Sequence, residues 1–333
     1  MNYKISIIIN TFNVVNYIRY TLLSVIPQLT NEMELIIIDD NSTDNTVEEI
    51  RNLVPNYDNI RFVKQVDNIG ISAERNYGIL NASGKYILFI DGDDYIAPET
   101  LGVLSNIVKI KDYDLVGYNM ESVPDYVTKK KLNSREKNYV STDLLEGVYD
   151  REGLLDSLFK NKLKHNPVTY LFKREIFLNN KLFFPNDINY GEDYGTIYKF
   201  FSHVEQGRII NKRLYKYVQR SSSATHVPNL KYAQDNLLVS NEILDYFKDT
   251  KYYSGAICYV IPRLITALSI ATKVEPDTSK VVAKEIENEI RILSTKKINF
   301  KDYLSYDIRL KVYLNNLRLL KYIFYYKGIL DNA

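Results

Sequence analysis

Short apolar segments alternate with amphipathic segments over the first 120 residues. The apolar segments are rich in β-branched and aromatic residues, and most are nearly continuous in apolar character, as strands covered on both faces are. They are Ile5–Ile9, Leu35–Ile38, Arg61–Gln65, Tyr86–Ile90 and Asp114–Tyr118. Helix-start signals between them predict helices over about 43–53 and 72–81. Strands and helices that alternate at this spacing predict βαβ units and a mainly parallel sheet flanked by helices, an α/β fold.

The pattern changes in the second half of the chain. It weakens between about 120 and 165, and strands and helices then resume up to residue 219. Helices are predicted over 174–180 and 193–205, the second after a turn that Gly191 permits, and strands over 209–210 and 214–219. After Pro228 the apolar spacing is helical, and helices are predicted over roughly 229–249, 254–272, 279–294 and 306–326. We therefore expect two domains, an α/β domain over 1–227 and a helical region over 228–333.

Composition excludes several classes of protein. The chain has 333 residues, of which 45% are hydrophobic and 25% charged, as expected of a folded globular protein. The formal net charge of +2 provides no general basic field, so we expect no nucleic-acid partner. Cys258 is the single cysteine, which excludes an intrachain disulfide. No signal peptide is recognised and no apolar run approaches the ~20 residues of a membrane span, so a cytoplasmic location is expected.

Polar clusters follow four of the predicted strands. They are Asn10–Asn13, Asp39–Ser42, Asp67–Gly70 and Asp91–Asp94. Ligands of open α/β sheets bind outside the carboxyl ends of the strands, so these clusters are expected along one binding edge. The segment after the first strand contains no glycine, and the chain contains no Gly-x-x-x-x-Gly-Lys-Ser/Thr motif. The charge of a bound diphosphate would therefore have to be met in another way.

The run Asp91-Gly92-Asp93-Asp94 offers that alternative. Two carboxylates ~4 Å apart repel each other by roughly 4 kcal/mol at an effective dielectric constant of ~20, and a divalent cation removes this repulsion. Hard oxygen ligands favour Mg²⁺ or Mn²⁺, and a site with one or two carboxylates leaves coordination positions for phosphate oxygens. The alternative is an ordinary polar turn after a strand.

Other polar residues each have a functional and a structural interpretation, and for Arg75, in the predicted helix over 72–81, the structural one is a surface arginine. Asp40 is a candidate acceptor for a base or ribose group, or a helix cap, and Asn68 is a candidate ligand contact, or a turn residue before a glycine. After the last predicted strand, Arg220 and Ser221 begin a basic, hydroxyl-rich loop suited to a diphosphate. His226 in the same loop is a candidate metal ligand, or a surface histidine before Pro228.

Five stretches in order and at characteristic spacing resemble the inverting family 2 glycosyltransferases, which have the Rossmann-like GT-A fold. The resemblance covers about two thirds of the chain, residues 1–225. The matching stretches are Ser6–Asn13, Glu34–Asp44, Asn68–Gly78, Ala82–Asp94 and Gly191–Tyr194.

The resemblance implies a set of roles for individual residues. The donor would be a nucleotide-sugar, most often a UDP-sugar, and its diphosphate would be held through Mn²⁺ or Mg²⁺ by Asp91, Gly92 and Asp93. Asp193 would be the general base, and Glu192 would support it or touch the acceptor. The residues implied to hold the nucleoside are Thr11 and its neighbour Asn13, Asp40, Asn68 and Arg75.

The implied activity is metal-dependent, inverting sugar transfer from a UDP-sugar to a hydroxyl of a glycan, lipid-linked or glycoprotein acceptor, in cell-surface polysaccharide or glycoprotein glycan assembly. One alternative is another nucleotide-sugar enzyme such as a sugar nucleotidyltransferase, although the glycine- and basic-rich N-terminal loop usual in those enzymes is absent. The other is a non-catalytic partner or stabiliser of another transferase. The acids Asp91, Asp93 and Asp193 argue against it.

The last predicted helix, over 306–326, is apolar nearly all round. Residues 296–327 contain eight Lys/Arg and two Asp/Glu, a local balance of +6. A helix that is apolar on most sides is normally buried, so burial in the core or in a homo-oligomer interface is favoured. Peripheral contact with an anionic membrane at the inner face is a second possibility, because basic charge beside Tyr and Leu suits it. A partner protein is the third.

Overall fold

The strands of the protein form one mixed sheet. The computed structural model describes residues 4–54, 58–127, 146–220, 229–274 and 276–331. The strands within these residues are β1 (Ile5–Thr11), β2 (Met33–Asp39), β3 (Ile60–Lys64), β4 (Tyr86–Asp91), β5 (Tyr95–Ile96), β6 (Leu115–Pro124), β7 (Gly147–Tyr149), β8 (Tyr170–Lys173) and β9 (Gly207–Gln219).

The strand order is β3-β2-β1-β4-β8-β6-β9-β5, and β7 pairs with β9. Strands β3, β2, β1 and β4 are mutually parallel, as the sequence predicts. Strand β8 is antiparallel to both of its neighbours, and β5 and β7 are antiparallel to β9. The α/β class is confirmed, and the parallel part of the sheet is the half that carries the predicted binding edge.

The core strands are apolar on both faces because helices cover them. Every residue of β1 and β2 is buried, and so are the first five residues of β4. Strand β3 lies at the end of the sheet and alternates between half-buried and exposed positions. The continuous apolar runs in the sequence therefore mark the interior strands correctly.

Helices connect and follow the strands. Those within the described residues are α1 (Ile18–Val25), α2 (Thr46–Leu53), α3 (Ile71–Asn81), α4 (Thr100–Ile110), α5 (Arg151–Phe159), α6 (Arg174–Asn179), α7 (Tyr194–Phe201), α8 (Leu230–Phe247), α9 (Tyr253–Ala271), α10 (Pro276–Ser294), α11 (Tyr306–Asn316) and α12 (Leu320–Asp331). Helices α1 and α4, and helix α5 inside the weakly patterned segment 120–165, were not predicted.

The chain divides into two compact units. The α/β unit comprises Met1–Leu154, Lys164–Asn186 and Lys199–Ser223, and the helical unit comprises Leu155–Leu163, Asp187–Tyr198 and Ala224–Ala333. Two short segments from the predicted α/β domain thus belong to the helical unit. The first does so because the ring of Phe159 packs 5.3 Å from Phe247 and 5.7 Å from Tyr259. The predicted boundary at 227/228 lies outside the described residues.

Two predicted strands, 209–210 and 214–219, are parts of the single strand β9. The polar residues between them are exposed and conceal the continuity of the strand. The register of β9 against β6 shifts between Gly117 and Met120, so the ladder continues past an irregularity at Asn119. The side chain of Asn119 there donates to Asn211 Oδ1 at 2.7 Å.

The predicted helix over 306–326 is two helices, α11 and α12. They are separated at Leu317–Leu319, where Arg318 has a φ of +59°. Of residues 306–325, only Val312, Asn315 and Leu320 are buried. The expectation that this segment is buried in the core is therefore wrong. Leu317 is 48% exposed and Leu319 46% exposed, so the apolar residues that suggested burial face solvent here.

Helix α9 corrects another expectation from the sequence. The helix has 19 residues, and an 18-residue window of it has a mean hydropathy of 1.5, so it is long and apolar enough to cross a membrane, although no such run was anticipated. In the helical unit 67% of its apolar window is buried. That burial is the ordinary property of a core helix, and Cys258 is one of its buried residues.

Candidate active site

The register of the parallel strands brings the predicted binding edge together in the α/β unit. Asn10 at the end of β1 pairs with Ile38 of β2 on one side and with Asp91 of β4 on the other. Thr11 pairs with Asp39. Three of the four polar clusters therefore begin at one level of the sheet, as predicted from the strand ends.

The Asp40 carboxylate fastens the fourth cluster to this edge. Its Oδ1 accepts a hydrogen bond from the backbone N–H of Ile69 at 2.6 Å, and its Oδ2 accepts one from Gly70 at 2.9 Å. The side chain of Asn68 donates to the backbone carbonyl of Asp40 at 3.3 Å. Gly70 has a φ of +81°, a conformation that favours glycine, and α3 begins at the next residue. Asp40 and Asn68 thus position the start of α3, and their contact with a nucleoside stays a prediction.

Thr11 and Asn13 organise the neighbouring loops. The Thr11 hydroxyl donates to the Ile38 carbonyl at 3.1 Å between β1 and β2. Asn13 has a φ of +51°, and its Oδ1 accepts from the backbone N–H of Thr43 at 2.8 Å. Asp39 accepts from the N–H of Ser42 at 2.9 Å, so it holds the turn after β2. The predicted roles of Thr11 and Asn13 in nucleoside binding are untested by these contacts.

The acids after β4 do not act as one cluster. Asp94 is 1% exposed, and its two carboxylate oxygens accept hydrogen bonds from the Tyr215 hydroxyl and the Val218 N–H, each at 2.7 Å. Burial and the negative charges of Asp93 and Asp91 raise its pKa well above the usual range. Asp94 is therefore a structural residue that links β4 to β9. Of the three acids predicted to bind a metal, only Asp91 and Asp93 remain candidates.

Asp91 and Asp93 each face an arginine. The guanidinium of Arg75 lies 3.2 Å from Asp91 Oδ1, and it is buried over the ring of Phe184 at 5.2 Å. Arg75 is therefore a buried part of the edge, in contrast to the surface arginine that its helix favoured. The guanidinium of Arg220 forms an ion pair with Asp93.

Arg220 is held on two sides. Its guanidinium packs 5.3 Å from the centre of the Tyr17 ring as well as against Asp93. Burial raises the pKa of Asp93 to about 6, the charge of Asp91 adds to this shift, and Arg220 opposes it. Arg220 therefore contacts Asp93, the acid expected to hold the metal, and its predicted contact with a diphosphate stays a prediction. Ser221 and His226 lie outside the described residues.

Asp91 and Asp93 fit a divalent cation by their chemistry. Their side chains are 29% and 18% exposed, so carboxylate oxygens reach solvent at the edge. Across the described part of the chain, no group of three or more His, Cys, Asp or Glu side chains is placed to hold a metal. Two carboxylates suit Mg²⁺ or Mn²⁺ bound mainly through water and substrate phosphates rather than a closed metal cage. Asp91 and Asp93 therefore suit a metal ion that binds together with a phosphate-containing substrate.

Gly92 lies between the two acids for a steric reason. A Cβ atom at this position would lie 2.7 Å from the Asn10 carbonyl oxygen and 2.7 Å from Thr11 Cγ2. Only glycine allows β4 to approach β1 this closely at the edge. Gly92 thus shapes the site through its backbone.

Glu192 and Asp193 lie in the helical unit, at the start of α7. Gly191 precedes them with a φ of +101°, and Glu192 accepts from the Gly191 N–H at 3.0 Å. The carbonyl of Asp193 accepts from the N–H of Ile197 at 3.0 Å, so the acid lies at the first turn of the helix. The predicted turn before a helix is confirmed.

The segment around these acids is fixed within the helical unit. The Tyr194 hydroxyl donates to the Tyr259 carbonyl at 2.6 Å, and its ring lies 4.7 Å from the guanidinium of Arg263. Asp235 accepts from the N–H of Asn189 at 2.9 Å. These contacts fix the segment that carries Asp193, and the role of Asp193 as general base stays a prediction.

Glu74 is a residue of the edge that the sequence analysis missed. It lies in the first turn of α3 and is 3% exposed. Burial, followed by the negative charge of Asp40, raises its pKa to about 9, while Arg75 and a hydrogen bond from the Thr11 backbone oppose the shift. A glutamate beside Arg75 in a helix gives no signal of burial in the sequence.

Comparison with known proteins identifies the family. Residues 6–179 match the sequence model described as "Glycosyl transferase family 2". A curated relative, described as an uncharacterized glycosyltransferase, EpsJ of Bacillus subtilis, is 28% identical over 232 residues. That match covers 67% of this chain and 63% of EpsJ, so it spans less than two thirds of the relative.

Solved structures with the same fold include TarS and a mannosyltransferase, both in complex with nucleotides. Staphylococcus aureus TarS 1–349 in complex with UDP has a TM-score of 0.66 at 18% identity, covering 98% of this chain and 90% of TarS 1–349. The mannosyltransferase PcManGT of Pyrobaculum calidifontis, in complex with GDP-Man and Mn²⁺, has a TM-score of 0.53 at 15% identity, covering 100% and 89%. These likenesses support the fold that the sequence resemblance implies.

The sheet and the acids at its strand ends agree with the GT-A fold that the sequence resemblance implies. More specifically, the chain belongs to glycosyl transferase family 2.

Proposed function

We propose that the protein transfers a hexosyl group from a UDP-sugar to a hydroxyl of a glycan on a lipid-linked, polymer or protein acceptor, with inversion and with Mn²⁺ or Mg²⁺. We place this reaction in the cytoplasm, in the assembly of cell-surface polysaccharide or glycoprotein glycans. The observation that carries the proposal is the strand-end arrangement of Asp40, Asp91 and Asp93 with two fixed arginines. The proposal is supported by the complexes of TarS with UDP-GlcNAc and of PcManGT with GDP-Man and Mn²⁺, two proteins that share this fold.

The diphosphate end of the donor is assigned to Asp91, Asp93 and Arg220. A divalent cation held by the two carboxylates would neutralise the charge that develops on the leaving diphosphate. Arg220 is already oriented by Tyr17, so its guanidinium can form charge-assisted hydrogen bonds with phosphate oxygens. Arg75 supports the site by holding Asp91, because its buried guanidinium contacts that carboxylate.

The nucleoside end is assigned to the strand ends of β1 and β2. Asp40 uses each carboxylate oxygen once, for Ile69 and Gly70. An ionised carboxylate accepts about four hydrogen bonds, so Asp40 retains capacity for a base or ribose donor group. Thr11, Asn13 and Asn68 are assigned to the same nucleoside end, because they order the loops that surround it.

Asp193 is the proposed general base. Its carboxylate would take the proton of the acceptor hydroxyl while that oxygen forms a bond to the anomeric carbon of the sugar. The bond from the anomeric carbon to the diphosphate oxygen breaks in the same displacement, and UDP leaves with the electron pair. Glu192 is proposed to support Asp193 or to contact the acceptor. The configuration at the anomeric carbon inverts because the attack is in line with the leaving group.

A donor screen followed by one substitution tests this proposal. Purified protein with Mn²⁺ is expected to release UDP from at least one UDP-sugar in the presence of a glycan acceptor. Asp193→Asn should lower turnover by about 10²–10⁴-fold, the usual worth of a general base, while donor affinity measured by calorimetry stays within about twofold.

Asp187→Asn is the matched control, since Asp187 is an exposed aspartate of the same segment. It should leave both quantities unchanged. Unchanged turnover of Asp193→Asn would remove Asp193 from the mechanism. Failure of every nucleotide-sugar to give product would favour a non-catalytic partner of another transferase.

A further inference from the structure

The helical unit contains a large cavity that the proposed reaction does not use. It is lined by α10, by α12 and by residues at the end of α9, and its volume is about 820 Å³. This is within the usual ~300–1,000 Å³ of small-molecule sites. Ala271 and Ala283 contribute small apolar walls, and Tyr322 and Tyr325 contribute aromatic ones. The cavity is large enough for the headgroup and upper chain of an amphiphile.

The charged residues of this cavity are predominantly basic. Five cationic side chains line it, opposed by one carboxylate, that of Glu287. Glu287 Oε2 accepts from Lys321 Nζ at 3.1 Å, so the single carboxylate of the lining is already paired with one of its cations. The five cations are Lys280, Lys284, Arg291, Arg318 and Lys321. An excess of positive charge around an apolar cavity favours an anionic ligand with an apolar part.

Two buried polar atoms of this lining lack hydrogen-bond partners within the described chain. They are Arg291 Nε, a donor, and Glu287 Oε1, an acceptor on a side chain that is only 5% exposed. Buried polar groups are normally satisfied, so such atoms indicate a missing ligand or water. Both atoms are buried in the wall of the cavity, so an anionic ligand would contact the exposed cations of the lining, such as Lys284 and Arg318, rather than these two atoms.

The helices beside the cavity expose an unusual number of large apolar side chains. We call this the α11–α12 surface, and each of its eight large side chains is at least 43% exposed: Tyr306, Leu310, Tyr313, Leu317, Leu319, Tyr322, Ile323 and Tyr325. Exposed apolar clusters of this kind mark interaction sites. Tyrosine has an apolar ring and a polar tip, which suits the boundary between lipid and water.

Charge distinguishes the two candidate partners of this surface, which are a second copy of the protein and an anionic membrane. Residues 296–325 contain seven Lys/Arg and two Asp, a balance of +5. In a symmetric dimer through this face each copy would present the same positive surface to the other. An anionic bilayer has the complementary charge and attracts basic residues near its surface. Charge complementarity therefore favours the membrane over a second copy.

We propose that the α11–α12 surface docks on an anionic membrane and that the adjoining basic cavity takes the phosphate headgroup of an anionic lipid. Tyr322 and Lys321 connect the two features, because both lie on α12 and both line the cavity. The inference is independent of the sugar transferred, since it concerns only the helical unit.

Vesicle co-sedimentation of the full-length protein tests the proposal without any donor. Vesicles of phosphatidylcholine with one third phosphatidylglycerol should bind the protein about 10-fold or more tightly than phosphatidylcholine alone, and binding should weaken as salt is raised. The double variant Lys284→Glu/Arg318→Glu reverses two exposed cavity charges and should lose that preference. The control Lys212→Glu/Lys248→Glu makes the same charge change at exposed residues elsewhere and should keep it.

Three outcomes would overturn the proposal. The first is equal binding, or no binding, to the two kinds of vesicle. The second is a protein that does not bind vesicles but binds soluble glycerol phosphate in a calorimetric titration. This result would assign the cavity to a free phosphate ester. The third is a concentration-dependent dimer, disrupted by Tyr313→Ser/Tyr322→Ser, in a protein that does not bind vesicles.

Discussion

The buried acid Glu74 makes a quantitative prediction about stability. Its pKa is raised to about 9 in the folded protein from 4.5, so at neutral pH the folded protein keeps the proton that the unfolded chain releases. A raised pKa of this kind contributes stability that is present below pH 4.5 and is lost as pH rises towards 9. The protein should therefore become less stable as the pH is raised through neutrality.

The magnitude follows from the linkage between protons and folding. Each pH unit between the two pKa values costs about 1.4 kcal/mol, so going from about pH 6 to about pH 8 removes about 3 kcal/mol through this one group. Glu74→Gln keeps the shape of the side chain but cannot ionise. The stability difference between variant and native protein should therefore shift in favour of the variant by about 3 kcal/mol over that interval.

Urea unfolding at the two pH values, followed by circular dichroism, measures this difference. Glu48→Gln is a matched control, because Glu48 is an exposed acid in the first turn of α2. It should leave the difference between the two pH values unchanged. If Glu74→Gln and the native protein lose stability in parallel, the carboxyl of Glu74 is not held neutral by burial and the reasoning fails.

Two further predictions concern the α/β unit. In Gly84→Ala the new Cβ would lie 2.6 Å from the Ser6 backbone nitrogen, so the free energy of unfolding in urea should fall by about 1–3 kcal/mol. Gly102→Ala in α4 has open space and should raise the free energy of unfolding by about 0.5–1 kcal/mol, because alanine favours a helix over glycine. Equal stability of the two variants would contradict this packing. Arg220→Ala should weaken UDP binding about 10-fold or more in calorimetry, since a charge-assisted contact is lost. The control Arg213→Ala, at an exposed position, should bind UDP as the native protein does. Unchanged binding by Arg220→Ala would place the diphosphate elsewhere.

The sequence predicted the parallel half of the sheet, because these strands can be recognised from their own short stretches of sequence. Strands β1, β2 and β4 are apolar runs buried on both faces, and each ends at a polar residue, so pattern alone locates them and their common edge. It did not reveal the antiparallel pairings of β8, because a four-residue strand carries no sign of its partners. Pairing depends on contacts across long stretches of chain.

The same limit applies to the site. Asp94 resembles its neighbours in sequence, yet its partner Tyr215 is 121 residues away, and that contact makes it structural. Arg75 looked like a surface residue because nothing local indicates Phe184 over its guanidinium. The break between α11 and α12 was also hidden, since Leu317 and Leu319 continue the apolar pattern of a helix.

Calorimetric titration of UDP with Mn²⁺ and with EDTA tests the central claim most directly, namely that the acids after β4 hold a nucleotide through a cation. Native protein should bind UDP with one-to-one stoichiometry and about 10-fold or more tightly with Mn²⁺ than without, and Asp93→Ala should lose that metal-dependent gain. Identical binding with and without metal, or a full metal effect in Asp93→Ala, would contradict it.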